Sequence, residues 1–255
     1  MKKLITIICL LLSSAAVVSA QAEKELPIGF TAWEWENRHL IREYARETDP
    51  PPEPIRNVAE FERMQGVLIR YPLGISTAIV KEVAEDVLIY CLVNASLESS
   101  AAASFESAGV NMANVEFILG PTDSYWTRDY GPWWVVDGDH EMTVVDFTYN
   151  RPRPNDNEAP SKMSDHLGTP YYSSDIIQTG GNYMTDGFHI SASSSLVYSE
   201  NDMSQADINE IMQQYWGVEA YHVVDDPNND YIEHIDCWGK YLSPSKLLIR
   251  EVPQS

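Results

Sequence analysis

Beyond about Ile55 the chain alternates between two hydrophobic patterns. Continuous apolar runs of four to seven residues are separated by stretches whose apolar positions recur every three or four residues. The first pattern suits strands and the second suits helices with one buried face. Gly66 to Arg70 reads as a strand, Ile79 to Ala84 as a helical face, and Val87 to Val93, apolar throughout, as a strand covered on both sides. Leu97 to Ala108 reads as a helix that Gly109 ends. Strands follow at Val115 to Leu119, Trp133 to Val136 and Thr143 to Phe147. Arg151 to Asn157 reads as a proline-stiffened loop, and Gly180-Gly181-Asn182 as a turn. Phe188 to Ser191 and Leu196 to Tyr198 read as short strands.

The best-signalled helix opens with Ser204 and Asp207 in capping-box spacing. It carries Ile208, Ile211, Met212 and Tyr215 on one face and stops at Gly217. Val218 to Val224, Tyr231 to Cys237 and Leu247 to Val252 complete the strands. Each helix lies between strands, so the class is α/β. Strand–helix–strand units near residues 66–93 and 195–224 suggest a repeated module. The last strand stops just before Ser255 with nothing to cover it, which leads to the expectation that more polypeptide follows.

The N-terminal part is organised differently. Lys2 and Lys3, the apolar stretch Leu4 to Leu12 and the small residues Val18-Ser19-Ala20 form a signal-peptide pattern over residues 1–20, implying secretion or a periplasmic location. Residues 21–55 read as a weakly organised extension with a polyproline spacer at Asp49-Pro50-Pro51-Pro52-Glu53-Pro54. Residues 56–255 then form the globular domain. No later apolar run is long enough to span a bilayer.

Charge and cysteines narrow the function classes. The net charge is −21, and loss of the two leader lysines takes it to −23. Such a chain repels nucleic acid and anionic membranes and attracts cations. Cys91 and Cys237 both lie in apolar runs and read as buried free thiols, too few for a disulfide framework.

Four stretches could carry chemistry. Trp126-Thr127-Arg128-Asp129-Tyr130-Gly131-Pro132-Trp133 sets an acid among aromatic rings at the end of a strand. Low-dielectric walls strengthen a carboxylate's hold on a cation, although Arg128 and Asp129 could equally be an ion pair at a turn. In Glu233-His234-Ile235-Asp236-Cys237-Trp238, strand alternation puts His234 and Asp236 on one face and Cys237 on the other. That pair fits general acid–base work, a divalent metal site or a satisfied half-buried histidine. Arg151 and Arg153 stand on the stiffened loop, where two planar guanidinium groups could clamp a carboxylate or could simply face solvent. Gly180-Gly181-Asn182 permits close approach of backbone to a ligand and lacks a dinucleotide fingerprint.

Taken in this order, Trp126 to Trp133, Gly180-Gly181-Asn182 and His234-Ile235-Asp236-Cys237-Trp238-Gly239-Lys240 resemble the bacterial peptidylarginine deiminase and agmatine deiminase family from about Glu60 to Pro253. Arg151-Pro152-Arg153-Pro154 resembles the Porphyromonas-type branch. The resemblance implies a pentein, an α/β propeller of five ββαβ-type modules around a central funnel, present here as an incomplete ring. It implies hydrolysis of a guanidino group, with Asp129 and Asp236 holding the guanidinium and His234 moving protons. Trp126 would line the aliphatic stem, with Gly181, Asn182 and Tyr231 also at the substrate. Arg151 and Arg153 would take the carboxylate of a C-terminal arginine, and the products would be citrulline and ammonia. No cofactor or metal is implied. The nucleophilic cysteine of the family lies in a later module, past the His-x-Asp block, so this chain alone is expected to be inactive. Alternatives are agmatine as substrate, a noncatalytic binder of arginine-bearing ligands, and, more distantly, a metal-dependent hydrolase on His234 and Asp236.

Overall fold

The computed structural model describes residues 25–228 and 231–251. The expected leader therefore lies outside the described residues, as does Val252. Ahead of the first long strand come helix α1 (Ala32–Glu36), a 3-10 turn over Arg38–Tyr44 and the two-residue strand β1 (Arg56–Asn57). This corrects the expectation of a loose extension up to residue 55. Thr31 and Glu34 close a reciprocal capping box on α1, and Ile41 is buried.

The first sheet is wholly parallel. Strand β2 (Gly66–Tyr71), helix α2 (Thr77–Val83), strand β3 (Leu88–Val93), helix α3 (Glu98–Ala108) and strand β4 (Val115–Leu119) give the order β2-β3-β4. Alternation along β3 sends Ile89 and Cys91 to one face, against Val80, Ala84 and Phe105 from α2 and α3. Tyr90 and Leu92 go to the other face. That two-sided burial is what the unbroken apolar run requires.

A one-turn helix, α4 (Thr127–Tyr130), then leads into β5 (Trp133–Val136) and β6 (Met142–Tyr149). Helices α5 (Pro154–Asn157) and α6 (Ala159–Leu167) precede β7 (Tyr171–Gln178). The 151–157 segment thus ends in a helical turn where a loop was expected, because Pro154 at the first position needs no N–H partner. Helix α6 and strand β7, which the hydrophobic pattern did not reveal, complete the unit. Ala159 and Met163 of α6 cover the second face of the parallel sheet.

Strands β8 (Met184–Thr185) and β9 (Ile190–Ser194), helices α7 (Leu196–Glu200) and α8 (Gln205–Trp216), and strand β10 (Ala220–Val224) form the next unit. Hairpin β11 (Gly239–Ser243) and β12 (Lys246–Ile249) follows. Two units therefore share one order: an antiparallel pair, a helix, then a strand parallel to the second. They are β5-β6-α6-β7 and β8-β9-α8-β10. The repeat falls at residues 133–178 and 184–224 instead of the spacing expected from sequence. The four sheets are separate and do not close on one another among the described residues.

Helix α8 has the expected capping box, with Ser204 Oγ accepting from the Asp207 N–H at 3.2 Å. Gly217 ends it at φ 66°, where a side chain would strike the Ile55 carbonyl. Ile208, Met212 and Tyr215 pack on Val145, Phe147 and Ile176 of the second sheet. Two short strands are overturned. Leu196 to Tyr198 is helical, opened where Ser194 Oγ accepts the Leu196 N–H. Tyr231 to Cys237 holds a 3-10 turn over Ile235–Cys237 instead of a strand. The alternation that set Cys237 opposite His234 and Asp236 therefore does not apply, and Cys237 is exposed. No helix among the described residues is long and apolar enough to cross a membrane.

Candidate active site

Three short pieces that end or interrupt regular elements meet at one place: α4, the Gly180–Asn182 turn that follows β7, and the turn holding His234. The central contact is between Asp129 and His234. Oδ1 of the carboxylate lies 3.4 Å from Nδ1 of the imidazole, and both side chains are buried. Gly181 makes this possible. A Cβ there would stand 2.5 Å from His234 Nδ1 and 2.6 Å from Asp129 Oδ1. Gly180 allows a similar approach, since a Cβ would lie 2.1 Å from the Arg128 carbonyl. The two glycines are thus set by the backbone and the acid–imidazole pair they touch.

Asn182 is a strut. Its fully buried amide oxygen accepts the Ser194 N–H at 2.8 Å and the Ile235 N–H at 3.3 Å, pinning the His234 turn to strand β9. Thr179 Oγ1 donates to the Asp129 carbonyl at 3.4 Å, and Thr179 also accepts the Asn182 N–H.

The electrostatics favour a cation. Burial raises Asp129 to about 6, and the Asp236 charge pushes in the same direction, against Arg151, Thr179 and Arg128. Asp236 is also raised by burial, opposed by Arg128 and Lys240. The two carboxylates are therefore close enough to feel each other.

Arg128 does not pair with Asp129. Its Nε lies 3.4 Å from Asp236, its guanidinium pairs with Glu60 and it lies over the Trp133 ring at 5.1 Å. Glu60 also pairs with Lys240. Arg128 and Lys240 thus offset the Asp236 charge, while Glu60, which pairs with both, pushes the Asp236 carboxyl up, a network with no signal in the sequence beyond the place of Arg128 and Lys240 in the motifs.

The remaining expected substrate contacts meet the N-terminal segment. Trp126 Nε1 donates to the Leu26 carbonyl at 3.0 Å. Arg151 Nε donates to the Ile28 carbonyl at 3.1 Å, and its guanidinium lies 4.3 Å from the Phe30 ring centre. Arg153 is buried and donates to Glu34, Pro27 and Gly29. Tyr231, 78% exposed, has its ring beside Gly29. Within residues 27–34 the donors engaged are Nε of Arg151 and Nε and Nη2 of Arg153, while Arg153 Nη1 is buried with no hydrogen-bond partner. Glu34 was missed, although Thr31-Ala32-Trp33-Glu34 is a capping-box sequence that marks a helix start.

Beside this segment a cleft of about 810 Å³ is lined by Phe30, Trp35, Arg151, Glu200 and Tyr231, among others. Burial pushes Glu200 up to about 7. Cys91 lies in β3 and burial pushes its thiol up to about 12, which makes it a poor nucleophile. No group of three or more His, Cys, Asp or Glu side chains among the described residues is arranged to hold a metal.

A "Putative agmatine deiminase" of Yersinia pestis is 28% identical over 153 residues, covering 54% of this chain and 42% of that protein. This chain therefore spans about two fifths of the length of that relative. The solved agmatine deiminase of Enterococcus faecalis superposes with a TM-score of 0.69 at 16% identity, covering 80% of this chain and 63% of that one. That of C. jejuni superposes with a TM-score of 0.64 at 20% identity, covering 76% and 62%. At these identities the structural likeness is one of fold. The Porphyromonas-type peptidyl-arginine deiminase description matches residues 58–255, and the chain belongs to that family.

Proposed function

We propose that this chain carries the guanidinium-binding and proton-transfer part of a hydrolase that converts a guanidino group to a ureido group and ammonia. The observation that carries the reading is the buried Asp129–His234 contact over Gly181, with Asp236 acting on the same charge balance. A planar guanidinium offers N–H donors on two sides, which suits two separate carboxylates. A thiolate attacks the guanidinium carbon, and ammonia departs with a proton delivered by His234. His234 then deprotonates a water that attacks the amidino thioether, giving the ureido product and restoring the thiolate. Carbon keeps its oxidation state throughout, so the reaction needs no redox cofactor.

Cys91 is unsuited to that attack, and Cys237 is exposed while Asp129 and His234 are buried. The reading assigns the thiolate to a later module, as the resemblance implies. It includes export by the leader over residues 1–20, which N-terminal sequencing of the mature protein would check.

On substrate, the C-terminal arginine reading needs Arg151 and Arg153 to receive a carboxylate, and Nε of Arg151 with Nε and Nη2 of Arg153 already donate to residues 27–34. A guanidine without a carboxylate, such as agmatine, leaves those contacts in place and agrees with the names of the curated relatives, while the family model is named for peptidyl-arginine. The test is formation of ureido product and ammonia from agmatine and from a peptide ending in arginine. It is made with the 255-residue chain and with the reading frame continued past Ser255. The short chain should form no product and the continued one should turn over agmatine. Failure of the continued one on both substrates would contradict the proposal.

A further inference from the structure

Arg128 places the chain's own guanidinium beside Asp236, a carboxylate that the reading above assigns to a ligand guanidinium. Its Nε lies 3.4 Å from Asp236 Oδ2. An arginine grips a carboxylate at two points when Nε and the neighbouring Nη2 both donate to it, as those two atoms of Arg153 do to Glu34 at 2.7 and 3.3 Å. Arg128 does not complete that grip on Asp236. Its Nη2 donates to the Tyr183 carbonyl at 3.3 Å, and its Nη1 pairs with Glu60 Oε1. The guanidinium carbon lies 5.1 Å from the Trp133 ring centre. Three acceptors thus splay the three nitrogens, and Asp236 receives one of them.

Of these acceptors only Glu60 carries charge to rival Asp236, so it is the one that can hold a cation back. Glu60 is itself well placed for this. It stands in the turn after β1, next to Ala59, which is fully buried. Glu62 Oε1 fixes that turn by accepting the Ala59 N–H at 2.8 Å and pairing with Arg56 at 2.9 Å. The second oxygen of Glu60 takes Lys240, the other cation whose charge acts on Asp236.

We propose that Glu60 is a positioning residue for guanidine binding: by holding Nη1 of Arg128, it keeps that arginine from closing on Asp236 and taking the place of the ligand guanidinium. This rests on the guanidine reading above and adds the residue that keeps its carboxylate open. Glu60 acts through Arg128.

The experiment is a double-mutant cycle read by agmatine titration of the 255-residue chain at pH 7. It compares wild type, Glu60→Gln, Arg128→Gln and the double variant. The Glu60 side chain is 24% exposed and the amide is isosteric, so the fold should survive the exchange. E60Q should weaken binding about tenfold or more when Arg128 is present and less than about threefold when Arg128 is glutamine. A residue acting by its charge alone, or by supporting the fold, would cost the same in both backgrounds. Equal costs, or no cost of E60Q at all, would overturn the proposal.

A second measurement needs no ligand. A crystal structure of E60Q should show Arg128 swung onto Asp236, with Nε and Nη2 both within hydrogen-bond distance of the carboxylate. An unmoved Arg128 would also overturn the proposal. Should agmatine not bind wild type, the guanidine reading fails, and the position of Arg128 in E60Q still decides whether Glu60 restrains it.

Discussion

Asp129 and His234 are far apart along the chain, yet their Oδ1 and Nδ1 atoms stand 3.4 Å apart over the bare backbone of Gly181. The contact depends on three loop-like pieces that are fixed by hydrogen bonds. Rigid loops at the ends of strands are where α/β proteins commonly place function.

The absence of a side chain at residue 181 is the most sensitive feature. Gly181→Ala would insert a carbon within 2.6 Å of both groups, so the imidazole and the carboxylate must move apart. The expected result is a stability loss of about 1–3 kcal/mol, typical of overpacking, together with loss of guanidine binding. Thermal denaturation and ligand titration of the variant check it.

Asn182 should prove structural. Replacing it with alanine leaves the buried N–H groups of Ser194 and Ile235 without their acceptor. Each orphaned group costs about 1–3 kcal/mol, so Asn182→Ala should lose at least about 2 kcal/mol. Amide exchange at Ile235 should quicken more than exchange in the distant strand β3.

Stability should depend on pH through Asp129. Its folded-state value is about 6, above the unfolded 3.8, so the unfolded chain releases this proton first as pH rises. The folded state therefore loses stability between about pH 4 and 6 and carries the full penalty above that. Asp129→Asn should be more stable than wild type at pH 7, by up to about 3 kcal/mol, with the gap closing toward pH 4. Denaturant melts of both proteins at a series of pH values measure it.

The same carboxyl predicts how binding should respond. Holding a guanidinium requires the ionised form, so below about pH 6 the ligand must expel a proton. Affinity for agmatine should rise by up to about tenfold per pH unit from pH 4.5 toward 6 and then level off. Titration calorimetry in two buffers of different ionisation heat should register the released proton.

Much of this arrangement was legible in the residues. Continuous apolar runs marked β3, β4 and β5, and the Ser204–Asp207 box marked α8, because burial and capping leave a local trace. Helix α6 and strand β7 left a weak one. The helix has proline in its first turn, and β7 mixes tyrosines and serines that are satisfied by tertiary contacts, such as Tyr171 Oη donating to Asp146 at 2.5 Å. The His234 turn has an alternating sequence yet is held by an Ile235 N–H donating to Asn182, which periodicity cannot reveal. At the site, the motifs brought out Asp129, His234, Asp236 and Gly181. Glu34 was hidden because its partner, Arg153, lies more than a hundred positions away, and a polyproline stretch between them reads as a domain boundary.

The central claim is that Asp129 and Asp236 together hold one guanidinium beside His234. Agmatine titrated into the 255-residue chain at pH 7 tests it most directly, with Asp129→Asn, Asp236→Asn and the exposed Asp139→Asn as a control. The account predicts that each of the first two variants weakens binding at least tenfold, about 1.4 kcal/mol, and that the control leaves it unchanged. Equal affinity in wild type and Asp129→Asn would contradict it.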